Sequence, residues 1–177
     1  MTLRTLPIIP ALATLAGACT FSVEADIPGV EITQRGLKMP GVPKSKLSGD
    51  VSVSSSFTYS SSNTAWAKSM NSRVYVRQVE VTANSGVSNL DFIHSAHLTM
   101  ADSDDSETTT ELVSYDRCDE APSSSVIDVT MPKPIDITPI WSAATTVIEL
   151  QVAGRPPEQD WSVDVMMKLD GEITYKF

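Results

Sequence analysis

The carboxyl-terminal segment constrains this chain more than any other feature. Trp161, Val163, Val165, Met167, Leu169, Gly171, Ile173, Tyr175 and Phe177 share one parity, and mostly polar residues stand between them. Side chains of an extended chain alternate between two faces, so this pattern predicts a strand with one buried and one wet side. Asp170-Gly171 reads either as a two-residue hairpin turn or as a glycine kink in one long strand. The unbroken parity favours the kink.

A half-buried strand needs others to cover it, and the same period recurs upstream. Over residues 51–59, Val51, Val53, Phe57 and Tyr59 face one way and Ser52, Ser54, Ser56 and Thr58 the other. That regularity favours a strand over a disordered, glycosylated Ser/Thr stalk. Val74 and Val76, then Val79 and Val81, form another strand whose parity slips once near Arg77-Gln78, which marks a bulge. Residues 108–115, 126–131 and 146–152 are further strand candidates. For residues 90–100 the reading is a helical turn bringing Leu90 and Ile93 together, then a short strand. A single strand would aim His94 into the core. Helical turns are also expected around Trp66 and Met70, spaced by four, and at Thr138-Pro139.

Many short β segments, few helices and no internal repeat predict an all-β chain. The expected architecture is an antiparallel β-sandwich, immunoglobulin-like or jelly-roll-like, with one or two short helical turns. The 177 residues, 41% of them hydrophobic, are enough for one self-sufficient core. A formal charge of −9 and a pI near 4.6 exclude nucleic acid or anionic headgroups as a broad electrostatic partner.

The amino end is of another kind. Met1-Thr2-Leu3-Arg4 precedes an apolar run from Leu6 to Leu15, and Ala16-Gly17-Ala18-Cys19 follows, with no acidic residue before Glu24. A cationic start, an apolar middle and small residues before a cut are the plan of a secretory signal. The apolar run is too short to span a bilayer, which takes about 20 residues. Ala16-Gly17-Ala18-Cys19 resembles the lipobox of bacterial lipoproteins, with Ala16 where Leu is usual in that family. The resemblance implies that Cys19 becomes the first mature residue and carries the lipid. It also implies several acyl chains there, and hence a permanent anchor, since one chain binds only marginally. Thr20, standing where an inner-membrane retention signal would have Asp, tilts the expected location to the outer membrane. Ordinary cleavage at the same point would instead release a secreted soluble domain.

The expected organisation is therefore a signal peptide over 1–18, a lipidated Pro/Gly-rich tether with one short strand over 19–49, and a β-sandwich domain over 50–177. Lipidation at Cys19 leaves Cys118 without an intramolecular partner. Without lipid, a disulfide between the two becomes available.

Few residues carry chemistry. Asp102, Asp104, Asp105 and Glu107 lie within one loop and could wrap a hard cation such as Ca²⁺, although the glycine of an EF-hand loop is missing. The other reading is a solvated hairpin tip that keeps an edge from pairing. His94 and His97 come together on a helix and part on a strand, and zinc would need a third ligand. No G-x-S-x-G, H-E-x-x-H or phosphate-cradling glycine loop is present. No cofactor is implied, and the chain does not read as an enzyme. The terminal Ile173-Thr174-Tyr175-Lys176-Phe177 resembles the last strand of outer-membrane β-barrels, but 6% aromatics and several short strands depart from that family. The reading is a lipid-anchored cell-envelope protein with a non-catalytic structural or partner-binding role. The alternative is a small-molecule or glycan-binding sandwich that uses Trp66, Trp141 or Trp161 for stacking.

Overall fold

The computed structural model describes residues 22–60, 71–103, 109–117, 123–141 and 145–176. Eight strands follow in order: β1 (Ser22–Met39), β2 (Val51–Ser60), β3 (Asn71–Ser85), β4 (Ile93–Asp102), β5 (Thr109–Asp116), β6 (Val126–Asp136), β7 (Thr145–Gly154) and β8 (Trp161–Lys176). A single α-turn, α1 (Thr138–Trp141), lies between β6 and β7, with Pro139 in its first turn as the sequence predicts.

The strands make two four-stranded sheets, in the orders β1-β8-β3-β6 and β2-β7-β4-β5. Every pairing is antiparallel. The pairs β1·β8, β2·β7, β3·β6 and β4·β5 are those of one long hairpin with its tip at β4–β5. Rolling that ribbon up adds β3·β8 and β4·β7 and splits it into two sheets. This is the jelly roll, and it resolves the two sandwich readings in favour of the second. Because successive strands reverse direction, the start of β1, the end of β8, and α1 gather at one end. The other end holds the β1–β2, β3–β4 and β7–β8 connections.

The inner faces follow the period of two. Val79, Val163, Val165, Met167 and Leu169 come from one sheet, and Val53, Leu98, Met100, Ile148, Leu150 and Val152 from the other, all buried. Aromatic pairs close both ends: Tyr59 stacks on Trp141 at 5.3 Å between ring centroids, and Phe92 meets Trp161 edge-on at 5.0 Å. Such pairs contribute about 0.5–1.5 kcal/mol beyond the area they bury.

Three local expectations met different outcomes. The slip near Arg77-Gln78 is a register shift between Val76 and Gln78 against both neighbours of β3. Asp170-Gly171 is no hairpin, and β8 runs through it without a break. The Pro/Gly-rich stretch read as a tether is instead the long edge strand β1, so the sandwich takes in residues well before position 50. The reason lies in two bulges. Pro28-Gly29 falls in the shift between Ile27 and Val30, and Arg35-Gly36 in the shift between Gln34 and Leu37. Gly29 and Gly36 have φ of 77° and 61°, which a residue with a Cβ adopts reluctantly. Proline is tolerated in a bulge on an edge because the ladder asks no N–H of it there. These residues bend the strand without ending it.

The expected helical turn before β4 is a single tight turn, closed by the Ile93 N–H donating to the Leu90 carbonyl at 3.0 Å. β4 then starts at Ile93, earlier than expected, with a shift between Ile93 and Ser95. His94 occupies that irregularity and stays exposed, so a strand through it does not drive an imidazole into the core.

Candidate functional site

The inner faces of the two sheets are alike, so any specificity lies outside. The sheet β1-β8-β3-β6 carries Arg35, Lys38, Arg73, Arg77, Lys133 and Lys168. Several of its outer polar groups are matched to one another. Arg77 pairs with Asp170, the Tyr75 hydroxyl donates to Glu172 at 3.4 Å, and the Gln78 amide donates to Asp128 at 2.7 Å. Asp164 accepts from the Asn84 amide at 2.5 Å and from the Gly36 N–H at 2.7 Å, inside the second bulge of β1. Those donors, with Arg35 nearby, hold the Asp164 carboxyl below its ordinary range.

The other sheet is different. None of the residues in β2, β4, β5 and β7 is Lys or Arg, whereas Asp102, Glu111, Asp116 and Glu149 are acidic. Its outer side is paved with small hydroxyl side chains, Ser52, Ser54, Ser56 and Thr58 of β2, with Gln151 donating to the Ser52 hydroxyl at 2.9 Å. His97 on β4 contacts Glu111 of β5 through Nδ1 at 2.8 Å. A shallow cleft of about 260 Å³ opens on this face between Thr99, Ala101, Asp102, Ser103, Thr109, Val147 and Glu149.

The residues singled out in the sequence land as follows. Cys19 and Cys118 lie outside the described residues, as do Asp104, Asp105, Glu107, Trp66 and Met70. Asp102 ends β4, half-buried, on the wall of the cleft. The two histidines are not brought together: His94 contacts Asp50 at 2.8 Å and His97 contacts Glu111. Among the described residues, no three His, Cys, Asp or Glu side chains are grouped to hold a metal ion. Trp141 and Trp161 are each only 2% exposed, so neither offers a stacking surface for a sugar ring. Sequence reasoning missed Glu149 and the cleft, because Glu149 meets Thr99 and Ser56 only through strand pairing. The available signal was the lack of Lys and Arg in alternating segments that are otherwise polar on one side.

The tip away from α1 is tied down by polar contacts. Asp91 accepts from the Ser123 hydroxyl and from the Ser124 N–H at 3.1 Å, and lies 3.1 Å from the Arg117 guanidinium. The serine hydroxyl is the main reason its carboxyl stays below the usual value. Across from it, the Gly41 N–H donates to Asp160 at 2.9 Å and the Val42 N–H to the Pro157 carbonyl at 2.8 Å.

No family model matches the chain, and no curated protein matches it by sequence. Among solved structures, the decameric BFDV capsid protein is similar at 8% identity and a TM-score of 0.36, covering 86% of this chain and 98% of that one. The family 32 CBM from C. perfringens NanJ, solved in complex with galactose, is similar at 14% identity and a TM-score of 0.31, covering 81% and 99%. The jelly-roll order established by strand pairing stands independently of both. No helix among the described residues is long and apolar enough to cross a membrane.

Proposed function

We propose that the chain is a lipid-anchored bacterial envelope protein whose jelly roll is a non-catalytic module for binding another protein. The leader carries this reading: an apolar run closed by Ala16-Gly17-Ala18, with Cys19 at the cut. On this reading the membrane attachment resides in acyl chains on Cys19, in the outer membrane. β1 begins three residues later, a reach of about 10 Å, so the domain rides close to the headgroups on the end that holds α1.

A binding role for a protein is favoured over one for a small ligand by the shape of the acidic face. The cleft of about 260 Å³ falls below the usual range of roughly 300–1,000 Å³ for ligand pockets, and no aromatic ring lines it. The face around it is acidic and rich in short side chains that let another backbone approach.

The test is fractionation together with mass. Wild-type protein should sediment with membranes, with an N-terminal peptide starting at Cys19 and heavier by its acyl chains. Cys19→Ser should move to the soluble fraction with its circular dichroism unchanged. An unacylated N-terminus on the wild type, or a serine variant that stays with the membrane, overturns the anchor.

A further inference from the structure

Each sheet has two edge strands, and three of the four carry devices that stop another strand from adding. β1 is bent by two bulges, with Pro28 in the first. β6 contains Pro132, Lys133 and Pro134 and drops out of register opposite Arg77. β5 is kinked where Leu112 is skipped between Leu98 and Thr99 of β4, and it bears Glu111 and Asp116.

β2 has none of these. Its pairing with β7 runs for ten consecutive residues, from Val51↔Gly154 to Ser60↔Thr145, with no register shift. The strand holds no proline, glycine or charge. Among the described residues, no backbone group pairs with its outward edge over 51–59. The side chains it turns toward the core are incompletely covered: Val53 is buried, but Val51, Phe57 and Tyr59 are half-buried. A regular edge with apolar surface beneath it is a template for one more strand.

We propose that β2 is the docking edge for an extended, basic segment of a partner protein, which joins the sheet as a fifth strand beside β2. This deepens the partner-binding reading above and rests on it. Backbone hydrogen bonds to 51–59 supply the pairing. Apolar residues of one parity cover Val51, Phe57 and Tyr59. Lys or Arg of the other parity lies over the Ser54–Ser56 row, about 10 Å from β7, within reach of Glu149 opposite Ser56. Charge complementarity argues for basic residues, since the chain carries −9 and this sheet has no cation of its own. A second copy of the chain fits less well. Its β2 brings only hydroxyls to the outer row, and antiparallel pairing of the two edges turns the anchor ends in opposite directions.

The probe is a ten-residue peptide alternating Val and Lys, added to the wild-type protein in detergent micelles. Binding should slow hydrogen exchange at alternate amides of β2. The same peptide with N-methyl groups on alternate residues along its pairing edge should lose binding while keeping its charge. Replacing its Lys by Glu, or Glu149→Lys in the protein, should weaken binding roughly three- to tenfold. The proposal is overturned by unaltered exchange in β2, by binding that survives N-methylation, or by sedimentation showing that the protein already dimerises with β2 protected. Failure here with an acylated Cys19 removes the docking edge and leaves the anchor. Peptide binding by an unacylated protein does the reverse.

Discussion

The two sheets have interchangeable interiors and dissimilar exteriors. In β1-β8-β3-β6 some outer charges are paired within the sheet, from Arg77–Asp170 to the Asp164 clamp on the β1 bulge, and both edges are bent or blocked by proline. In β2-β7-β4-β5 the outer surface is hydroxyl-rich and acidic with no Lys or Arg in any strand, and among the described residues the straight edge of β2 over 51–59 is unpaired. Bulges and prolines on its two edges leave the first sheet little to offer another strand. The second, among the described residues, keeps one regular edge open for pairing. The core is built from the inner faces, and it is on the outer faces that the two sheets differ.

The largest expected effect tests the sameness of the interiors. Leu98→Ala in one sheet and Met167→Ala in the other, both fully buried, should each lower unfolding free energy by about 2–5 kcal/mol in urea titrations. A much smaller loss in one sheet would break the symmetry claimed for the two interiors.

A smaller effect separates the exteriors by acid. The native Asp164 carboxyl lies below its unfolded value of about 3.9, so its contribution is complete well above that value. It fades as pH falls through the unfolded value and is gone below the lowered native one. Asp164→Asn should therefore flatten the acid limb of stability, measured as the urea midpoint from about pH 6 to about pH 2.5. Amides of β1 near Gly36 should be the first to lose protection in the wild type. An unchanged acid limb would mean that the bulge clamp contributes nothing.

The smallest effect has the opposite sign. Thr146 on β7 is fully buried, and its hydroxyl has no hydrogen-bond partner among the described residues. Thr146→Val keeps the shape and removes the desolvated hydroxyl, so it should stabilise by about 1 kcal/mol, read as a higher melting temperature. A lower melting temperature would show the hydroxyl to be satisfied.

What was legible in the sequence was local. The parity from Trp161 to Leu169 told which side chains of β8 point inward, and the slip near Arg77 told of a bulge, because both depend only on neighbouring residues. β1 was misread for the same reason. Pro28, Gly29 and Gly36 look like tether residues until β8 is beside them, and only that ladder shows that they bend a strand. The candidate site was not legible as a site. Ser54, Glu149 and Thr99 are far apart in the chain, and each is unremarkable alone.

The sequence by itself determined that this chain builds strands and which face of each is apolar. Tertiary structure alone decided which strands are neighbours, which four became edges, and that every Lys and Arg of the strands fell to one sheet. The physical reason is the range of the interactions. Side-chain alternation is written residue by residue, whereas pairing between β2 and β7 or β1 and β8 joins segments most of the chain length apart, through backbone groups identical in every residue.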